Sequence, residues 1–324
     1  MPATQGTADD LTSRLKRRRS SSIRKLSVIS LSGISSTWRR SSFFGSKFQL
    51  GAEAPVDEVK DRVLALIGDG SAFDPRDVHK VHHSKWFIQR FVLDRLENTY
   101  ADQEDLIDDA SKAMVECMRW RKEEGINDLE SKDFPREFFS SNTSMIGTDH
   151  NGNPLLFTRG KYHAKINEWH ELIKMKESFF YETIDRKLDG RSLGLILDLS
   201  GCGIRNFDLD YTMHVFDLFT KYYPMTCTFL YVNEVSWIMR PGISLLMKIV
   251  PKKYQKQVKF TTTKQLHQLI GKEFLPFYLG GDAAMEVVVP SDCPTLDQVA
   301  QRHGVSDKAL EQLRQQLQAA EKGD

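Results

Sequence analysis

Residues 193–199 read Leu193-Gly194-Leu195-Ile196-Leu197-Asp198-Leu199, an almost unbroken apolar run of strand length. Such a strand must be covered on both faces, as the strands of parallel sheets are. Two further strands are predicted, from Thr228 to Val232 and from Val258 to Thr262, with helical segments between them. Strands that alternate with helices predict an α/β fold built on a mainly parallel sheet.

Helical patterns precede and separate these strands. Asp74-Pro75 predicts a helix start, because Asp caps free N–H groups and proline suits the first helical position. That helix is predicted to run to Leu96, and a second amphipathic helix ends at Gly125. The segment 149–154 (Asp-His-Asn-Gly-Asn-Pro) predicts a hairpin turn. Later helices are predicted over Leu209–Tyr222, Trp237–Val250 and Asp307–Ala320.

Catalytic motifs are missing from the sequence. It has no Gly-x-Ser-x-Gly elbow, no His-Glu-x-x-His and no phosphate loop ending in Gly-Lys-Ser/Thr. Gly201-Cys202-Gly203 follows a strand, but Asn206 stands where a dinucleotide site needs a third glycine. Asp198 and Glu234 follow strands without an evident catalytic partner, and we interpret them as structural. The sequence therefore predicts no enzyme.

Three histidines at helical spacing, His79, His82 and His83, could share one helix face. A metal site would need a further ligand and an orienting second layer of contacts, and neither is evident in the sequence. We interpret these side chains as part of a solvated helix surface. No metal and no cofactor other than a bound lipid is predicted.

The order of six motifs resembles the CRAL-TRIO family. Each motif is weak alone, but all six occur in family order between residues 85 and 282. They are Trp120-Arg121 at the end of a helix, the turn 149–154, the strand 196–201 (Ile-Leu-Asp-Leu-Ser-Gly), Tyr222-Tyr223-Pro224, Tyr231-Val232-Asn233 and the segment 275–281 (Leu-Pro-Phe-Tyr-Leu-Gly-Gly).

The resemblance implies a helical lobe followed by a mixed sheet with flanking helices that enclose a hydrophobic pocket. A movable gate helix, here Trp237–Val250, would close that pocket. Apolar and aromatic side chains crowd this part of the sequence and suit a ligand cavity. The predicted lipid-binding residues are Leu195, Leu197, Phe216, Phe219, Phe229, Tyr231, Trp237, Leu245, Leu246 and Ile249.

Two departures from the family bear on the ligand. Phosphatidylinositol-transferring members carry Glu after the Tyr-Pro and Lys at the start of the last strand, where this chain has Met225 and Gln257. The resemblance therefore favours a lipid carrier or lipid sensor for a less polar ligand. One alternative is a protein-interaction or scaffold module, for example in small-GTPase regulation, that exchanges no lipid. An enzyme is the third reading.

The first fifty-four residues form a basic, Ser/Arg-rich tail. Residues 11–52 carry ten Lys and Arg and no Asp or Glu, with too few apolar residues to order the chain. Cationic groups there can attract an anionic membrane surface, although a tail that only keeps the protein soluble is an equal alternative. The predicted membrane contacts are Arg17, Arg18, Arg19, Arg39, Arg40, Phe43 and Phe44. Ser20, Ser27 and Ser41 follow basic residues and are predicted phosphorylation sites whose added charge would weaken that contact.

Composition bounds the compartment and the partners. No apolar run approaches the ~18 residues that a membrane span needs, and the start of the chain lacks a signal-peptide pattern. Four widely spaced cysteines predict free thiols in a reducing compartment. We expect a cytoplasmic, peripherally membrane-associated protein. The positive charge is confined to the tail, so no nucleic acid is expected as a partner, whereas a protein partner remains open.

These patterns divide the chain of 324 residues into four parts. They are the tail 1–54, a helical lobe 55–126, a lipid-binding lobe 133–283, and a C-terminal extension 284–324 that contains a helix.

Overall fold

The computed structural model describes residues 54–140, 143–149, 152–284 and 289–322. Its centre is a five-stranded sheet whose spatial order follows the sequence. The first two strands form the predicted hairpin, and the last four run parallel to one another. The predicted α/β class with a mainly parallel mixed sheet is confirmed. The strands are β1 Thr143–Thr148, β2 Pro154–Arg159, β3 Leu193–Asp198, β4 Cys227–Asn233 and β5 Val258–Thr261.

Four helices form the lobe that precedes the sheet. They are α1 Val56–Ile67, α2 Pro75–His83, α3 Lys85–Arg95 and α4 Gln103–Glu123. Asp74 caps α2 as predicted, accepting a hydrogen bond of 2.8 Å from the Arg76 amide. The single helix predicted from Asp74 to Leu96 is wrong, because it breaks at Ser84. The Ser84 hydroxyl instead accepts from the Phe87 amide at 3.3 Å and starts α3, the N-cap role that serine favours.

Eight more α-helices of the described residues flank the sheet or follow it. Those before the C-terminal extension are α5 Glu137–Ser140, α6 Asn167–Leu188, α7 Leu209–Asp217, α8 Arg240–Ile249, α9 Lys252–Gln255 and α10 Thr263–Ile270. The extension carries α11 Leu296–His303 and α12 Asp307–Glu321. The predicted helix 209–222 widens after Asp217 into a π-type turn through Tyr222. The helix predicted from Trp237 begins only at Arg240.

The sheet presents two different apolar faces. Leu155, Phe157 and Ile196 point to one face, where they pack with Leu266 and other residues of α10. Leu195 and Leu197 alternate with Ile196 and therefore point to the opposite face, towards α7 and α8.

Gly194 marks the face that α10 covers. A Cβ built on Gly194 would lie 2.0 Å from the Phe229 ring, so only glycine lets that ring lie flat across β3. The rings of Phe229 and Tyr231 stack with centroids 4.4 Å apart, and both pack with the α10 cluster.

A buried ionic network joins the helical lobe to α6. Arg121, at the end of α4, contacts Asp77 at 2.8 Å and Glu182 at 2.7 Å. The Tyr223 hydroxyl donates to Glu182 at 2.8 Å. Burial alone would raise the pKa of Glu182, but the charge and hydrogen bonds of Arg121 outweigh it and hold that pKa well below its usual range. Of the predicted family motifs, Trp120-Arg121 and Tyr222-Tyr223 thus meet at this interface, where Trp120 stacks on Tyr222.

The C-terminal helices pack on the main core. Buried residues of α11 and α12, among them Leu296, Val299 and Leu313, share one apolar cluster with Trp169 of α6. The Trp169 indole N–H donates to the Ala309 carbonyl at 3.2 Å. Within the described ranges, no helix combines the length and the apolar character that crossing a bilayer requires.

Candidate functional site

A cavity of about 250 Å³ lies between the sheet and helices α6, α7 and α8. The sheet supplies Leu195, Leu197, Leu230 and Val232 as its floor. Its walls come mainly from α7 and the turn after it, which contribute apolar side chains such as Met213, Val215, Phe216 and Phe219. A cavity lined mainly by apolar side chains suits a hydrophobic ligand.

Helix α8 covers the cavity with one of its faces. Ile243, Leu246 and Met247 line the cavity, as does Met239, which is 4% exposed. A Cβ built on Gly242 would lie 2.6 Å from the Phe207 ring, so glycine allows the start of α8 to sit directly on that ring. The helix thus covers one side of the cavity.

The segment after α8 is tied to the helical lobe. Lys253 Nζ lies 2.9 Å from an Asp94 carboxylate oxygen, and the Tyr254 hydroxyl donates to the other at 2.8 Å. Asp94 is buried on α3. The Gln255 amide donates to the Met247 and Val250 carbonyls at 2.8 and 2.7 Å. These bonds fix the C-terminal end of α8.

Half of the predicted lipid-binding residues line this cavity. They are Leu195, Leu197, Phe216, Phe219 and Leu246. The assignment of Phe229 and Tyr231 is corrected, because strand alternation turns both side chains to the α10 face of the sheet.

The assignment of Trp237, Leu245 and Ile249 to the cavity is also corrected. Trp237 is 79% exposed, Leu245 49% and Ile249 48%. Leu245 and Ile249 lie four residues apart and therefore share the outer face of α8. Trp237 precedes the helix, whose first residue is Arg240.

A polar group that the sequence did not predict lies inside the cavity. Glu177 of α6 is 3% exposed, lines the cavity, and has Lys176 Nζ 3.3 Å from its Oε1. Tyr211 also lines the cavity, and burial, together with the nearby charge of Glu177, raises the pKa of its hydroxyl well above its usual range. Tyr211 therefore stays protonated and serves as a donor.

His163 and Asp208 extend this polar end of the cavity. The His163 ring stacks on Tyr211 with centroids 4.1 Å apart, and its Nε2 lies 3.3 Å from Asp208 Oδ2. Burial would raise the pKa of Asp208, but hydrogen bonds from His163 and His170 hold it well below its usual range. Asp208 also accepts from the Tyr211 amide and so caps α7. These polar side chains are consequently held in place by one another.

Met225 and Gln257, the two departures from the family pattern, both line the cavity. Met225 has a φ of 65°, a left-handed conformation that a non-glycine residue adopts infrequently. Met225 and Gln257 thus bring a thioether and an uncharged amide to the lining.

The other residues considered for chemistry have structural contacts. Asp198 accepts from the Ser200 hydroxyl at 2.6 Å and the Asn233 amide at 3.1 Å. Glu234 accepts from the Thr263 amide at 2.7 Å. Gly201 adopts a φ of 71° in the turn that leaves β3. Cys227 lines the cavity, where burial raises the pKa of its thiol to about 12, so it is not a ready nucleophile.

Metal ligation has weak geometric support. In the described segments, one group of potential ligands comes close enough together, namely His170, Glu171 and Asp210. Lys174 Nζ already lies 2.9 Å from carboxylate oxygens of both Glu171 and Asp210 and balances their charge. The helix face with His79 and His83 holds instead a stacked ring pair, with centroids 4.0 Å apart.

The predicted contacts and phosphorylation sites of the tail lie outside the described residues.

Comparison with known proteins agrees with this architecture. Residues 139–281 match the model of the CRAL/TRIO domain, so the chain contains a domain of this class. A similar solved structure is the crystal structure of Sfh5, with a TM-score of 0.52 and 14% sequence identity. The similarity covers 72% of this chain and 95% of that one. At this identity the likeness establishes the fold alone.

Proposed function

We propose that the protein binds a hydrophobic ligand or phospholipid in the cavity under α8 and acts as a lipid carrier or lipid sensor at membrane surfaces. The observation that carries the proposal is the cavity of about 250 Å³, which is lined mainly by apolar side chains and covered on one side by α8. An interaction module with a collapsed interior would have no use for such a space. We propose no catalytic step, since the buried polar side chains are engaged with one another.

Native mass spectrometry of the purified full-length protein tests this proposal. We expect a mass excess corresponding to one bound lipid, because each buried CH₂ contributes ~0.8 kcal/mol and the complex should survive purification. Protein that has been stripped of lipid should regain that excess after incubation with phosphatidylcholine vesicles. A chain that remains unliganded after such incubation would favour the interaction module.

The outer face of α8 supports a membrane-facing role. Trp237, Leu245 and Ile249 are exposed, and the cations Arg240 and Lys248 lie exposed on the same segment. Exposed apolar side chains beside cations are typical of surfaces that lie against anionic membranes. We propose that this surface contacts the membrane when α8 moves.

Replacing Trp237 and Leu245 together by serine should weaken co-sedimentation with vesicles of phosphatidylcholine and phosphatidylserine by about 10-fold, because two apolar insertions are lost. The matched control replaces Leu66 and Phe277, which are 45% and 66% exposed elsewhere, by serine. The control should bind as the wild type does. Equal loss in both variants would argue against a specific surface.

The basic tail remains a second proposed membrane contact. We propose that Arg17 to Arg19, Arg39 and Arg40 bind anionic headgroups, with Phe43 and Phe44 inserted beside them. Phosphates on Ser20, Ser27 and Ser41 would remove about half of the tail's charge and weaken that contact.

We also propose a cytoplasmic, peripheral location. The motif order resembles the amino-terminal part of motile sperm domain-containing protein 2, which we propose as a relative.

A further inference from the structure

The charged groups of the cavity are unfavourable for an anionic ligand. Four carboxylates line it, namely Asp94, Glu97, Glu177 and Asp208. Among the lining residues that the structure describes, Arg159 is the one Lys or Arg. The Arg159 guanidinium stacks 4.0 Å from the centroid of the Tyr278 ring, which packs with the cluster on the α10 face of the sheet. Asp94 is paired with Lys253 and Asp208 with His163. A phosphate or carboxylate headgroup would therefore meet carboxylates that already have partners, and the described lining offers it no cation that faces the cavity.

Glu177 is the polar group best placed to meet a ligand. Its side chain is 3% exposed and borders both the main cavity and a small cavity of about 30 Å³ beside α12. Lys176, its ion-pair partner at 3.3 Å, lines only the small cavity, where its ammonium lies 5.0 Å from the centroid of the Phe180 ring. The Lys176 ammonium thus balances the charge of Glu177 from outside the main cavity.

Acceptor capacity remains on Glu177. A carboxylate can accept about four hydrogen bonds, and Lys176 accounts for one, at 3.3 Å. A ligand atom that donates a hydrogen bond can use the remainder. Lys176 and Lys253 already supply positive charge beside Glu177 and Asp94, so a cationic ligand would bring an additional charge into a mainly apolar site, at considerable cost.

We infer that the ligand is an uncharged lipid whose polar group is a hydroxyl, and that this hydroxyl donates a hydrogen bond to Glu177. The inference rests on the proposed lipid-binding function and specifies its ligand class. Met225 and Gln257 agree with it, since neither adds charge to the lining.

Three probes that share one alkyl chain test the inference. Hexadecan-1-ol, its methyl ether and hexadecanoate are offered at equal mole fraction in phosphatidylcholine vesicles, and lipid bound to the reisolated full-length protein is quantified by mass spectrometry. We expect the alcohol to exceed the ether by about 10-fold, because a hydrogen bond to a buried carboxylate is lost with the ether. Hexadecanoate should load least of the three.

Variants assign the preference to Glu177. In Glu177→Leu the alcohol-to-ether ratio should fall to about one, with the ether loaded as in the wild type. Glu177→Gln keeps an acceptor oxygen without the charge and should retain a reduced preference, which guards against a folding defect of the leucine variant. Glu116→Leu, at an exposed position on α4, is the matched control and should keep the full preference.

The outcomes distinguish a failure of the hydroxyl preference from a failure of lipid binding itself. Equal loading of alcohol and ether, or preferential loading of hexadecanoate or phosphatidylcholine, would overturn the hydroxyl inference and leave the lipid carrier intact. A protein that returns from all vesicles without any lipid would overturn the proposed function itself.

Discussion

Leu197→Arg is expected to abolish lipid loading. Leu197 lies on the cavity floor beside Val232 of the neighbouring strand. A guanidinium there would fill the cavity and place a charge among apolar side chains. Carboxylates of the lining such as Glu177 and Asp94 already have Lys partners, so burying that charge costs several kcal/mol. We expect bound lipid, measured by mass spectrometry after vesicle incubation, to fall by at least about 100-fold.

Two comparisons show whether the cavity is responsible. Leu66→Arg makes the same substitution at a position that is 45% exposed on α1, and it should load lipid normally. Leu246→Arg introduces the same charge from the cavity face of α8. A helix can shift more easily than a strand inside the sheet, so this variant should lose less lipid loading than Leu197→Arg. Normal loading by a folded Leu197→Arg protein would show that the ligand does not occupy this cavity.

Arg121→Met is expected to lower the free energy of unfolding by about 3–5 kcal/mol, because Asp77 and Glu182 would be left as buried carboxylates without their main partner. Denaturant unfolding at pH 7 measures this loss. Arg119→Met places the same substitution two positions earlier on α4, where the side chain is exposed, and should change the free energy of unfolding by less than about 0.5 kcal/mol. Similar losses in both variants would contradict a special role for the network.

The pH dependence of the free energy of unfolding provides an independent measurement on Arg121 and Glu182. Because the folded-state pKa of Glu182 is lowered, its stabilising contribution is complete above its unfolded pKa of ~4.3 and is lost as the pH falls below that value. Without Arg121, burial instead raises the pKa of Glu182, which favours protonation in the folded state. The difference in stability between wild type and Arg121→Met should therefore shrink as the pH is lowered from 7 towards 4.

The fold was predictable because its signals are local. The apolar run around Ile196, the turn before Pro154 and the cap at Asp74 each specify one element through residues that are adjacent in sequence. Helices α10 and α11 were missed, although Thr262 with Gln265 and Thr295 with Gln298 form capping boxes that could have indicated them.

The cavity lining was only half predictable, for a physical reason. A strand that is apolar on both faces has no polar alternation to show which side chains meet the ligand, so Phe229 could not be distinguished from Leu230. Trp237 and Leu245 were assigned to the cavity because the sequence does not show whether an apolar side chain on or before α8 points into the cavity or to the outside. Glu177 gave no signal, since a glutamate within a helix ordinarily indicates a solvated surface.

The match to the CRAL/TRIO domain ends at residue 281, whereas the hydrophobic core continues into α11 and α12. Trp169 lies in the first turn of α6, and its indole N–H donates a hydrogen bond to the carbonyl of Ala309, 140 residues further along the chain. The end of the family match and the end of the hydrophobic core are therefore different places in this molecule. A fragment cut at the former would expose Leu172 and Trp169 to solvent and invite aggregation, so the smallest autonomous unit reaches at least to the end of α12.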